Sequence, residues 1–482
     1  MLHSVRIVLS AAVGGALYSG DGTMNPGSFL RTNIVTAFIA AVATLSIVVS
    51  ARSGTKSAPS VTSLSNSAGT AGLLNLSGPT DQTNPFFQKL GTNGRTCATC
   101  HVPDQGMSIT PEKVAVRFSN TKGLDPIFRT NDGANCPSVD ASTTTARRIG
   151  YSLLLNKGLI RVSLTVPSNA DFTITFIDDP YGCSETTATN PAFYRRPLPS
   201  VNLPFLATVM WDGRQTVAGD LNMSLMNQAK DATLGHAEAT TSPTDLQLAQ
   251  IVAFERALFF AQTNDSRAGN LAAFGSTGGP TALSTQDFYL GINDPLGDNP
   301  QIQFTSNIFG LYDGWSAITG TSSTDKARAA VARGQALFNN LPISITGVAG
   351  LNDVVGASSI PGTCGTCHNS PNVGNHSVSL PIDIGISDAS RHTPDMPLYT
   401  VTCASGQVKQ TQDLGRAMIT GKCSDIGKFK GPVLRGLAAR APYFHDGSAA
   451  TLLGVVEFYN NRFNLNLTDR QKSDLVAFLR TL

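Results

Sequence analysis

Two pentapeptides carry the clearest chemistry in this chain: Cys97-Ala98-Thr99-Cys100-His101 and Cys364-Gly365-Thr366-Cys367-His368. In C-x-x-C-H, two thiols on one helical turn can form thioethers with both vinyl groups of a porphyrin, and the next residue presents imidazole to the iron. With 8 cysteines and 7 histidines in 482 residues, chance supplies roughly 0.002 such pentapeptides. A zinc knuckle would need two further ligands nearby, and a redox dithiol has no use for the following histidine. The motifs therefore predict two covalently bound c-type haems, held by Cys97, Cys100, Cys364 and Cys367, with His101 and His368 as proximal iron ligands. Four cysteines remain. In an oxidising compartment the simplest pairing is Cys136 with Cys183 and Cys403 with Cys423; free thiols are the alternative.

Residues 325–340 (DKARAAVARGQALFNN) have helical periodicity and run toward the second motif. At the other end Thr468 and Gln471 form a capping box before DLVAFLRTL, and Thr451 is placed to cap LLGVVEFYNNRF. Residues 325–482 thus read as one helical haem domain, and 83–324 as a first, longer one with insertions. Within the first, 158–177 alternates apolar and polar positions around Pro167-Ser168-Asn169, which predicts a hairpin. Residues 244–262 return to helical spacing, and the Gly/Ser/Thr/Asn-rich stretch 264–323 is expected to run over the surface. The fold class expected is mainly α: two cytochrome c-like haem domains with a small β-hairpin insertion in the first.

Lys and Arg number 35 against 33 Asp and Glu, a net charge of +2. No basic surplus exists to neutralise phosphates, which argues against a nucleic-acid partner. The apolar run 34–50, with Arg31 before it and Val49-Ser50-Ala51 at its exit, reads as a secretory signal, placed conventionally if counted from Met24. An uncleaved anchor is the competing reading, because 17 residues is about the lower limit for a span. Residues 1–51 are assigned to this signal or anchor and the Ser/Thr/Gly/Ala-rich residues 52–82 to a flexible linker. A periplasmic location follows, free or tethered to the membrane.

Further motifs make the resemblance specific. Met210-Trp211-Asp212-Gly213-Arg214 lies between the haem motifs, and Gly427-Lys428-Phe429-Lys430-Gly431-Pro432-Val433-Leu434-Arg435 precedes Ala441-Pro442-Tyr443-Phe444-His445-Asp446-Gly447. With the two haem motifs, these resemble the bacterial di-haem cytochrome c peroxidase superfamily, which includes the di-haem enzyme that matures the tryptophan-derived cofactor of methylamine dehydrogenase. The resemblance covers residues 83–482 in outline and is loose over 120–195 and 264–323. It implies that the N-terminal haem meets hydrogen peroxide. The C-terminal haem would relay electrons from a small periplasmic donor such as a cytochrome c or a cupredoxin, with Trp211 between the two.

The iron ligands are where this chain departs from the commonest pattern. Reductively activated members place a second histidine on the N-terminal iron, yet no histidine occurs between His101 and His236. The loop after the first motif offers only Met107, which is read as packing, so the first haem is expected to be open. Members of the superfamily use a carboxylate about twenty residues beyond the W-D-G-R tryptophan as the proton shuttle. That register leaves both His236 and Glu238 as acid/base candidates. Ligation of the iron by His236, which would close the site, is a further alternative.

Peroxidases of the family supply methionine to the second iron fourteen residues after the histidine of P-Y-F-H-D-G. Counting from His445 reaches Tyr459, the residue type used at that place by the cofactor-maturing enzyme. Met418, His392 and Met396 are the fallback ligands. The family's inter-haem calcium stays open, because its Arg-Asn-x-Pro element reads Arg196-Pro197-Leu198-Pro199 here. The leading function is a di-haem peroxidase. The alternatives are a peroxide-driven oxidase acting on a protein or small molecule and, from another class, a non-catalytic di-haem electron carrier.

Overall fold

In the computed structural model, residues 57–296 and 303–482 are described, and those from Lys56 onward form one compact unit. The signal or anchor expected over 1–51 lies outside the described residues. No described helix is long and apolar enough to cross a membrane.

The expectation of a mainly α fold is corrected. Only 31% of the described residues are helical and 16% are in strands, which form several sheets. A four-stranded antiparallel sheet takes the order Ser60–Asn66, Gly69–Asn75, Leu258–Asp265, Gly269–Asn270. Its first two strands fall inside the stretch expected to be a flexible linker. The reason is a partner far along the chain: Leu73 pairs with Phe260 and Leu74 with Phe259. Strand period 2 then sends alternate residues to opposite faces, and both faces are covered. Leu73 and Phe260 enter one apolar core with Phe86 and Met107, while Leu74 and Phe259 enter another with Phe205 and Val373. At the hairpin turn Gly69 has φ +139°, and a Cβ there would lie 2.4 Å from the Asn264 carbonyl oxygen. Only glycine fits so close a backbone approach.

Two further expectations change for the same reason. The helical reading of 244–262 holds for Asp245–Arg256, capped by Thr244 and Gln247, but residues from Leu258 are the strand just described. The hairpin expected across 158–177 does not form. Ile160–Ser163 pairs with Ala192–Arg195, whereas Phe172–Asp178 pairs with Leu398–Cys403. Pro167 still makes a turn, its carbonyl accepting from Ala170 N–H, but the two arms find different partners.

The expected helices at the C-terminal end are present. Ser323–Asn340 packs against Asp469–Leu479, whose Thr468/Gln471 capping box is formed, and Thr451 caps Leu452–Arg462. Gly334 marks the crossing: a Cβ there would lie 2.0 Å from the Asp474 carbonyl oxygen. Arg333 clamps the same spot with two 2.8 Å bonds to the Asp474 carboxylate. The stretch expected to run over the surface contributes the centre of this core, since Tyr312 and Trp315 are fully buried in it. The disulfides Cys136–Cys183 and Cys403–Cys423 are both present, with Cα separations of 5.4 and 5.8 Å.

Candidate functional site

Each C-x-x-C-H segment is a single tight turn with a threonine box at its start. Thr96 N–H donates to Thr99 Oγ1 at 2.9 Å, and Thr363 N–H to Thr366 Oγ1 at 3.0 Å. The turn carries the backbone of the histidine back onto the first cysteine, with His101 N–H bonded to Cys97 O and His368 N–H to Cys364 O, both at 3.0 Å. Each imidazole has its Nδ1 against a backbone carbonyl, Met107 O at 3.0 Å and Gly374 O at 2.7 Å. A carbonyl can only accept, so Nδ1 carries the proton and the Nε2 lone pair is left to bind a metal. The bends that deliver those carbonyls are tight. Met107 has φ 55°, and at Gly374 a Cβ would lie 2.7 Å from Phe309 Cζ. Burial lowers the pKa of both imidazoles, which keeps them neutral.

The four motif cysteines are free while the other four are paired. Burial pushes the thiols of Cys97, Cys364 and Cys367 up to about 12. Neither a redox dithiol nor a zinc thiolate is favoured by that environment. Among the described residues no group of three His, Cys, Asp or Glu is gathered to hold a metal ion. Each motif instead opens onto a largely apolar cavity, of about 190 Å³ at Cys97, Cys100 and His101 and about 230 Å³ at Cys364, Cys367 and His368. Paired free thiols, a neutral imidazole and apolar walls fit a covalently attached haem at each motif.

The wall of the first cavity opposite in sequence is the helix Leu221–Gly235, capped by Asp220, which contributes Leu225, Gln228, Ala229 and Ala232. His236 follows at its C-terminus and also lines the cavity. Its Nδ1 meets Asp132 Oδ2 at 2.5 Å, and the other Asp132 oxygen pairs with Arg95 Nη1 at 2.5 Å. Burial would raise the Asp132 carboxyl, but His236 and Arg95 outweigh it and hold the pKa below the ordinary value. Sequence reasoning missed Asp132 and Arg95; neither sits in a motif, and Asp132 lies 104 residues from its partner. Glu238 is exposed, at φ 54°, and does not line the cavity. Of the two acid/base candidates only His236 is brought to it.

Trp211 lines both cavities. Its Nε1–H donates to Arg196 O at 2.8 Å, and its carbonyl accepts from Lys430 N–H at 2.9 Å. The neighbouring Asp212 is fully buried and held by Arg195 at 2.5 Å and Arg214 at 2.8 Å. Arg195 also pairs with Asp413. His445 packs edge-on to the indole at 6.3 Å between centroids and stacks on Phe429 at 4.2 Å. The W-D-G-R and P-Y-F-H-D-G segments therefore meet at this partition.

Tyr459, on Leu452–Arg462, lines the second cavity together with Cys364, Cys367 and His368. Burial, with a smaller contribution from the two cysteines, drives its phenol far above the ordinary tyrosine value. The fallback ligands do not reach that cavity: Met418 and Met396 sit in separate apolar cores, and His392 Nε2 meets Met396 O at 2.7 Å. Met107 packs in the core beside Phe86 and Phe260, as expected.

No family model matches the chain. Among curated proteins it is similar to cytochrome-c peroxidase IdrP2 of Denitromonas iodatirespirans, 32% identical over 133 residues, covering 25% of this chain and 36% of that one. Cytochrome c551 peroxidase of Nitrosomonas europaea is 34% identical over 120 residues, covering 25% of this chain and 30% of its own. The alignments span about a third of the length of these relatives. A solved structure titled as a MauG-like protein associated with microbial copper homeostasis aligns over 83% of this chain and 86% of its own, at 17% identity and a TM-score of 0.38. The resemblance to the di-haem cytochrome c peroxidase superfamily, stated from the motifs, is borne out by these peroxidase relatives over a quarter of the chain.

Proposed function

We propose that the chain is a periplasmic di-haem c-type peroxidase that reduces hydrogen peroxide at the haem attached to Cys97 and Cys100. The reading is carried by one observation: two cavities, each with a C-x-x-C-H turn whose histidine is oriented by a backbone carbonyl, share the wall containing Trp211. When bound, the haem irons supply the redox chemistry, in which peroxide takes two electrons and two protons and leaves as two waters. The protein's own part is to move protons and to position. His236 stands at the first cavity with Nδ1 fixed by Asp132, so that Nε2 can carry a proton between the peroxide oxygens. Trp211 is the bridge for electrons arriving from the second cavity, held by its hydrogen bonds to Arg196 and Lys430. A small periplasmic electron-transfer protein would be the donor.

Tyr459 favours a second reading. Tyr459 would hold the second iron in place of a thioether, and its phenolate would favour ferric iron and lower the potential. Such a centre is a poor acceptor from an ordinary cytochrome and suits peroxide-driven oxidation of another protein or a small molecule. The test begins with haem stoichiometry by pyridine haemochrome, which should give two c-type haems per chain. Peroxide mixing should then perturb a high-spin signal from the first haem. A purely low-spin ferric spectrum that peroxide leaves unchanged would leave only an electron carrier. Rapid turnover with a reduced small cytochrome supports scavenging; a long-lived peroxide-oxidised state supports the oxidase.

A further inference from the structure

The partition between the cavities contains four cations with no anionic partner among the described residues. Arg196, Lys430 and Arg435 are 5%, 7% and 2% exposed, and Arg440 is partly buried beside them. All four line the first cavity, and Arg196, Lys430 and Arg440 also line the second. Their hydrogen bonds go to backbone carbonyls: Arg196 to Ile109 and Lys157, Lys430 to Thr208, Arg435 to Asn372, Arg440 to Arg435 and Gly436. Arg435 Nε and Nη2 are buried with no hydrogen-bond partner among the described residues. Burial pulls Lys430 down to about 7 and Arg196 to about 9, with no carboxylate opposing it.

Buried charge is retained when something pairs with it. Elsewhere in this molecule the chain itself provides the pair, as Asp212 and Asp413 do for Arg195 and Asp132 does for Arg95. The buried carboxyls of the first cavity do not serve the partition. Asp132 is taken by Arg95 and His236, and Glu255, with one buried oxygen unpartnered, makes no ion pair with any of the four cations. An anion held in the cavities would supply the pair that the chain does not.

We propose that Arg196, Lys430, Arg435 and Arg440 form one carboxylate cradle in the shared wall, and that its ligands are the propionates of the haems attached at the two C-x-x-C-H turns. This rests on the haem reading above. Each haem is then fixed at three places: its vinyl side by two thioethers, its iron by histidine, and its propionate edge by the cradle. Because Arg196 and Lys430 also hold Trp211 through their main chains, the cradle stands beside the indole.

The haem-loaded chain provides the test, through Lys430→Met and Arg435→Met with Lys430→Arg as the charge-keeping partner. Haemochrome stoichiometry is read first. A chain that carries no haem would overturn the haem reading itself. With two haems present, each neutralising variant should lower the midpoint potentials of the haems it faces, both for Lys430→Met, and shift the propionate bending bands in resonance Raman spectra. Lys430→Arg should stay near the parent. Unchanged potentials and bands in both neutral variants would overturn the cradle while leaving the haems in place. Free carboxylate is the other source of the same chemistry. A saturable spectral response of the parent to acetate, lost in Lys430→Met, would overturn the assignment to propionates.

Discussion

At the scale of single residues, the proposed chemistry rests on histidines whose Nδ1 is already committed. His101 and His368 give Nδ1–H to carbonyls and His236 gives Nδ1 to Asp132. In each case the tautomer follows from the partner, so the partner is part of the function. Replacing His236 by Gln should lower the rate of peroxide consumption by about 10²-fold or more without loss of haem. Asp132→Asn should cost less and should alter the pH profile of that rate, because in the proposed mechanism Asp132 acts through His236. The stability that the Asp132 cluster contributes has a definite sign. Its folded pKa is lowered from 3.8, so the contribution is complete above that value and is lost as pH falls through the folded one. Acid unfolding of Asp132→Asn should therefore begin from a lower plateau and show a shallower decline below about pH 4. Tyr459→Phe should change the spectrum of the second haem alone; an unchanged spectrum would remove the phenolate from its iron.

At the scale of elements, the site is held by close backbone approaches and by strands paired far along the chain. Gly334→Ala would force its Cβ into the Asp474 carbonyl and Phe478, separating the two helices that cover the second cavity. Overpacking of that kind costs about 1–3 kcal/mol, readable as a lower thermal midpoint. The strand Gly69–Asn75 gives an opposite test of what its composition suggests. A linker would tolerate Leu73→Ala, whereas the core residue seen here should lose about 2–5 kcal/mol in denaturant unfolding. The helix ends were legible because Thr451 and Thr468 act on residues three ahead of them. Strand partners were not, since Gly69–Asn75 and Leu258–Asp265 meet across about 190 residues and no local pattern records such a meeting.

At the scale of the whole molecule, the two cavities share a wall only because segments remote in sequence converge on Trp211. Trp211→Phe should leave haem stoichiometry and the first-haem reaction with peroxide intact while slowing steady-state turnover at least about tenfold, by the logic that a step, not a binding event, has been removed. The sequence by itself determined the groups whose function lies within one turn: both C-x-x-C-H motifs with their histidines, the helix caps, and the absence of histidine between His101 and His236. It also left few sensible choices for the disulfides. Only the tertiary structure decided that Glu238 faces solvent, that Asp132 and Arg95 stand behind His236, and that four cations meet in one wall with no anionic partner among the described residues. The physical reason is range. A tight turn is fixed by neighbours along the chain, but burial, ion pairing and strand register are properties of surfaces that exist only once distant segments have packed.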